Sequence, residues 1–207
     1  MYIPSDNKFT NRQEVISFMQ RYSFATIITV DDGVPVATHL PFIIKEKNGK
    51  IILSSHFAKA NPQSSAFNNS KALIIFTEPH AYISPKHYEK EASVPTWNYL
   101  AVHAYGHCFL IDGEENKAAL LNEMIQYYEA DYQKQWDSQS ADFKRKMMIG
   151  IIAFEIIVDD LQAKKKLSQN KTEKERTSII NELKNAENSN EKDISAYMES
   201  LGDKKLF

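Results

Sequence analysis

The sequence predicts a mainly β protein with flanking helices, an α+β chain whose five or six short antiparallel strands form a small barrel or sandwich. Three observations predict it. β-branched and aromatic runs, "FATIITV", "VPVATHLPFII" and "KIILSS", follow one another from Phe24. Asp32-Gly33 and Asn48-Gly49 separate them, and such pairs tolerate the positive φ that tight hairpins require. Finally, "GIIAFEIIV", from Gly150, is apolar enough for a strand buried on both faces, and no regular βαβ alternation appears.

The elements follow in chain order. Thr10 and Gln13 have capping-box spacing ahead of a helical stripe of Val15, Ile16 and Met19. The three runs joined by the two glycine turns then predict an antiparallel meander. A short helix is expected from Asn61, an N-cap followed by proline, before a fourth strand "KALIIFTE" that continues irregularly through "PHAYISP". A long fifth strand covers about Asn98 to Ile111. Asp112 and Glu115 look like a capping pair for a helix with Leu120, Leu121, Met124, Ile125 and Tyr128 on one side, and a further helix spans Asp142 to Met148. After the sixth strand the tail is rich in charge of both signs. Thr172 and Glu175 form a capping box before Ile179, Ile180 and Leu183, while Ile194, Tyr197, Met198 and Leu201 make a second stripe with Gly202 as its stop. Two such amphipathic helices need a surface, the barrel or a second subunit, to cover their apolar sides.

Composition narrows the function classes. The chain has 207 residues, 43% hydrophobic and 25% charged, with a formal charge of -2, so it lacks the electrostatic footprint of a dedicated nucleic-acid binder. One cysteine makes no internal disulfide, "MYIPSDNKFT" is no signal peptide, and "MMIGIIAF" is far too short to span a membrane. A cytoplasmic location is expected.

Three stretches carry candidate chemistry. In "SSHFAKANPQSSAF", Ser54, Ser55 and His56 end a strand, and Lys59 stands beside the helix start at Asn61. A helix start with a lysine suits a phosphate, though an ordinary capped surface helix reads the same way. "AKKKLSQNK", Ala163 to Lys171, offers charge and several donors straight after the last strand, for phosphate or a polar ring, or simply as a solvated run. In "VPTWNYLAVHAYGHCFLID", His103 and His107 share a strand face but lie about 13 Å apart, too far for one metal, and Cys108 faces the other way. What remains there is a wall of rings, Trp97, Tyr99 and Tyr105, either core or the lining of a flat ligand.

Taken in order, "MYIP", "ATHLPF", "HFAKANPQ", "FTEPHAYISPKHYEK", "VPTWNYLAVHAYG" and "KKKLSQNK" resemble the PaiB-type family of FMN-binding negative transcriptional regulators, from Met1 to about Lys171. The resemblance implies an FMN-binding split barrel, six antiparallel strands in a Greek key, over residues 1–171, with 172–207 as a helical extension on the barrel or dimer partner. It implies a homodimer with FMN in two interfacial clefts, and a DNA or regulatory-protein partner. Carried over by motif, His56, Lys59 and Asn61 fall near the FMN phosphate. Lys164, Lys166, Ser168, Gln169 and Asn170 fall at the cofactor or dimer interface, and Thr38, His39, Trp97, Asn98 and Tyr99 border the ring. The chain departs from the family at three places. Ser55-His56-Phe57-Ala58-Lys59 replaces Gly-His-Leu-Ala-Arg, His87 replaces tryptophan, and Lys165 stands where an aromatic is usual. Lysine keeps the charge of arginine but loses its bidentate fork, which weakens a phosphate grip.

The leading expectation is a flavin-binding regulator. An FMN-dependent oxidoreductase or flavin reductase using the same pocket is the alternative. No pattern nominates a catalytic acid or base, His103 and Tyr105 being guesses, and the absence of histidine after His107 counts against haem handling.

Overall fold

The computed structural model describes residues 1–65, 67 and 70–203. Its strands are β1 (Phe24–Asp31), β2 (Val34–Pro41), β3 (Ile43–Lys47), β4 (Lys50–Ala58), β5 (Lys71–Ile83), β6 (Thr96–Leu110) and β7 (Ile151–Lys166). Its helices are α1 (Arg12–Arg21), α2 (Glu114–Tyr128), α3 (Gln133–Ser138), α4 (Ala141–Ile149), α5 (Glu173–Lys184) and α6 (Ser189–Asp203). The strands form one sheet in the order β2-β1-β5-β6-β7-β4-β3.

The count is therefore seven, not six, and the sheet is open rather than a closed barrel, because the second run breaks in the middle. Pro41 has no N–H to continue a ladder, and Phe42 leaves it to donate its own N–H to Ser23 O at 2.9 Å. The Phe42 ring fills the core, edge-on to Phe76 and Phe154 at 6.1 and 6.2 Å. The expected three-strand meander is thus two hairpins, β1–β2 and β3–β4, on opposite edges of the sheet. Both glycine turns fall where the sequence put them, with Asp32, Gly33, Asn48 and Gly49 all at positive φ. The Ser55 hydroxyl donates to Pro41 O at 2.6 Å, tying β4 to the end of β2.

The chain divides into two compact units. The larger comprises Ile16–Phe76 and His103–Leu161. Its core is a stack of aromatic rings, Phe57, Phe67 and Phe154, with centroids 4.5–5.1 Å apart. Each buried phenylalanine contributes about 1.5–3 kcal/mol of transfer free energy. Gly106 permits the close approach of β7, since a Cβ there would strike Ile157 O and lie 2.7 Å from Ile156 Cγ2. Helix α2 lays Leu120 and Met124 on Ile43 and Ala153. It starts at Gly113, φ 86°, without the side-chain cap expected of Asp112, whose carbonyl instead accepts from Asn116. Helix α1 is likewise capped by Asn11, through the Glu14 N–H, and not by Thr10. Helix α3 and the 3-10 turn Ala130–Tyr132 had no clear sequence signal.

The second unit comprises Met1–Val15, Thr77–Val102 and Gln162–Phe207. The N-terminal segment lies along β7, with Phe9 N–H bonded to Ala163 O and an antiparallel bridge between Lys8 and Lys164. Helices α5 and α6 bury Ile179, Leu183, Ile194 and Met198. The Thr172–Glu175 capping box forms as expected, whereas α6 runs through Gly202 to Asp203 instead of stopping before it. Glu175 Oε1 also accepts the Glu89 N–H at 3.0 Å, and His87 bridges to Ser178 at 2.9 Å and Glu182 at 3.5 Å. The histidine at the family's tryptophan position thus joins the 3-10 turn Pro85–His87 to α5.

Candidate functional site

The site residues named from the sequence fall into two groups, one in each unit. The first follows the end of β7. Lys164 and Lys166 are two apart on a strand and share a face. Lys164 is 8% exposed, a deep position for an ammonium, and its Nζ donates to Tyr2 O at 3.3 Å and lies 5.1 Å from the Tyr99 ring centroid. No carboxylate pairs with it among the described residues. Burying a cation without a counter-charge is costly, and a cation held this way is ready for an anion. Lys166 Nζ bonds to Thr96 Oγ1. Lys165, on the opposite face, is committed elsewhere: it pairs with Glu14 at 3.3 Å, sits 4.6 Å from the Phe9 ring, and burial pushes its pKa down.

The loop after β7 is braced from within. Ser168 adopts φ 57°, a left-handed conformation uncommon for serine, and its hydroxyl donates to Asn98 Oδ1 at 3.1 Å. Asn98, fully buried, contacts Met198 Sδ at 3.4 Å through Nδ2. Gln169 accepts from Leu167 N–H and donates to Lys165 O, both at 2.7 Å. Ser168, Gln169 and Asn98 therefore hold the loop in shape, and Lys166, Asn170 and Lys171 line the cleft beside it. A cleft of about 330 Å³ opens here, lined by Asp6, Asn7, Thr96, Lys166, Asn170 and Lys171 among others. Its volume lies at the lower end of the range for small-molecule sites. Trp97 stands half-exposed, in contact with His80 and Tyr82 at 5.8 and 5.7 Å between ring centroids. Tyr2, Thr96 and Lys171 were not singled out from the sequence. Lys171 packs its ammonium 3.5 Å from the Tyr88 ring centroid, a contact between residues far apart in the chain that no local pattern announces.

The second group is in the larger unit. Thr38 Oγ1 donates to Gln63 Oε1 at 2.6 Å and accepts from Asn61 Nδ2 at 3.0 Å. Gln63, 5% exposed, also reaches Thr29 Oγ1 and Val36 O. This residue organises the group, and nothing in "NPQ" itself announces that role. The helix expected from Asn61 is a single 3-10 turn, Pro62–Ser64, capped by Asn61 as foreseen. One turn accumulates little dipole, so the phosphate argument from a helix end does not hold there. Lys59 is exposed, with its backbone N–H fixed to Gly150 O at 2.8 Å. His39 is exposed beside Thr26 Oγ1 at 2.9 Å. His56 is apart from these: it lines an apolar pocket under α2, and burial pushes its pKa down.

The long sixth strand offers little for catalysis. Cys108 is fully buried, and burial pushes its thiol up to about 12, so it carries no thiolate at neutral pH. His107 is half-exposed, 3.4 Å from Asp159. Burial pushes the His103 pKa down. No cluster of histidine, cysteine or acidic residues suited to a metal occurs among the described residues, and no helix among them is long and apolar enough to cross a membrane.

These features match known proteins. Residues 1–160 match the family described as "Putative FMN-binding domain", and the chain belongs to that family, in its PaiB-type branch. It is 41% identical over 202 residues to protease synthase and sporulation protein PAI 2 of Bacillus subtilis, covering 96% of this chain and 97% of that one. An uncharacterized protein of Emericella nidulans, AN0679, is 28% identical over 188 residues, covering 72% and 75%. Among solved structures, the FAD and heme binding protein of Mycobacterium smegmatis superposes with a TM-score of 0.61 at 17% identity, over 77% of this chain and 73% of that one. The flavocytochrome Anf3 of Azotobacter vinelandii gives 0.60 at 15%, over 75% and 67%. At such identities the likeness concerns the fold, which is split-barrel-like.

Proposed function

We propose that the chain is an FMN-binding, PaiB-like regulatory protein that works as a homodimer. One observation carries the flavin reading: Lys164 is a lysine only 8% exposed, with no carboxylate partner among the described residues and with its ammonium between the Tyr2 and Tyr99 rings, in a chain of a family described as FMN-binding. The donors in this unit fit an anionic, ring-bearing group. In the cleft Lys166 supplies charge, and Asn170 and Thr96 supply hydrogen bonds; Lys164, on the same strand face as Lys166 and against the Tyr99 ring, adds a second charge. When bound, the flavin supplies a ring able to accept and return electrons. The protein's part is to hold the anion, order the loop through Ser168 and Gln169, and exclude water from around Lys164.

For the dimer, the support is the β1–β2 hairpin. Strand β2 is the outermost strand on its side of the sheet, and on the β1–β2 hairpin Phe24, Val30 and Val34 are 70%, 63% and 61% exposed. Unpaired edges carrying apolar side chains are normally covered, and a second copy of the chain is the covering partner proposed.

Fluorescence titration of FMN tests the cofactor reading. Replacing Lys164 with methionine keeps the volume and removes the charge, and is expected to weaken binding at least about tenfold, since a charge-assisted hydrogen bond contributes about 1.5–3 kcal/mol. The Lys59→Ala variant, titrated separately, distinguishes a phosphate held at the other group. Unchanged affinity in both variants would defeat the proposed site. The alternative, a flavin reductase, predicts NAD(P)H oxidation well above that of free FMN. The regulatory reading predicts none.

A further inference from the structure

The flavin reading asks an anion to reach the Lys164 ammonium, yet that lysine is only 8% exposed. Tyr99 and Tyr2 lie against its Nζ. The Tyr99 ring, with its centroid 5.1 Å away, is fixed within β6. The Tyr2 carbonyl accepts from Nζ at 3.3 Å, and the Tyr2 ring centroid lies 5.9 Å away. Tyr2 stands outside every strand and helix and is itself 83% exposed. Of these two covers, only Tyr2 can move without breaking the sheet.

The segment that carries Tyr2 is hinged at its far end. There Lys8 makes an antiparallel bridge to Lys164, and Phe9 N–H donates to Ala163 O at 3.1 Å. Ahead of this anchor the chain forms one 3-10 turn, Ser5–Asn7, preceded by an extended stretch. Its ties to β7 there are polar, Tyr2 O with Lys164 Nζ and Met1 N with Gln162 Oε1. A neutral carbonyl gives an ammonium a hydrogen bond but no counter-charge. A phosphate gives both, so it can take Lys164 in exchange.

The same segment sets Pro4, Asp6 and Asn7 along the cleft that Lys166, Asn170 and Lys171 line. A phosphate arriving there carries the same sign of charge as Asp6, and like charges at such range repel. The segment is thus pushed away when the anion binds, and does not fold back over it.

We propose that residues 2–7 form an autoinhibitory strap on the anion site. Closed, the strap occupies Lys164 through the Tyr2 carbonyl and covers it. Open, it yields the ammonium to the phosphate of an incoming ligand and stays released while the ligand is bound. The strap belongs to the site of the flavin reading and rests on that reading.

Fluorescence titration and stopped-flow mixing with FMN compare the wild type with a chain lacking residues 2–7, circular dichroism and thermal melting confirming the fold of each. The association rate of the wild type is expected to level off as FMN rises, because strap opening limits it, while that of the shortened chain keeps rising. Deletion is expected to tighten FMN binding about two- to tenfold, the worth of the one hydrogen bond that the ligand no longer displaces. Hydrogen–deuterium exchange of residues 2–7 in the wild type is expected to quicken when FMN binds. Should the shortened chain not fold, Pro4→Gly frees the φ that proline fixes, loosens the strap, and is expected to act in the same direction. If FMN binds the wild type and the shortened or loosened chain alike, in affinity and rate, the strap is overturned and the flavin reading stands. Exchange in residues 2–7 that is unchanged or slowed by bound FMN overturns it too. If FMN binds none of these chains, the flavin reading falls and takes the strap with it.

Discussion

At the scale of single residues, the informative positions are those that depart from what their surroundings would otherwise select. Lys164 is the clearest, because a methionine of similar size would cost nothing to bury. Lys164→Met is therefore expected to leave the melting temperature unchanged or raise it while weakening FMN binding. Differential scanning fluorimetry with and without flavin reads both effects, and a large drop in stability without ligand would show that the ammonium serves the fold. Gly106 is a second such position. Gly106→Ala drives a methyl into Ile157 O, and overpacking of this kind costs about 1–3 kcal/mol. Chemical denaturation checks it, and a neutral result would mean that β6 and β7 can move apart. The sequence exposed the charges of "KKKLSQNK" but not their division of labour. That Lys165 turns to Glu14, and that Gln169 serves its own loop, depends on contacts between distant segments.

At the scale of elements, local chemistry was legible wherever it is self-contained. Asp32-Gly33 and Asn48-Gly49 turn as their φ preferences require, and Thr172 with Glu175 caps α5. The break at Phe42 was not legible, because "VPVATHLPFII" is uniformly strand-like and only the core, by accepting the Phe42 ring, divides it. Glu175 has a further consequence. The backbone N–H groups of Glu89 and Thr172 hold its carboxyl below the usual range, so its folded-state pKa lies under its unfolded value. Its contribution to stability is full above the unfolded value and is lost as pH falls through the lowered one. Glu175→Gln is expected to flatten the acid limb of the stability–pH curve and leave the neutral region's slope unaltered. An identical acid limb in wild type and variant would contradict the assignment.

At the scale of the whole molecule, six ordered motifs were enough to suggest the family, and the match over residues 1–160 establishes it. The assembly is a different matter, because a homodimer surface leaves only exposed apolar residues as its mark in one chain. Sedimentation equilibrium is expected to give twice the 23.8 kDa chain mass, and Val30→Lys together with Val34→Lys, placing charge on the free hairpin, to give the monomer. A wild-type monomer would remove the proposed interface.

The most direct measurement is the visible absorbance spectrum of the purified protein, saturated with FMN and then desalted. The expected result is a retained flavin band, shifted or structured relative to free FMN and lost in Lys164→Met. A protein that leaves the column without flavin even after saturation would contradict it.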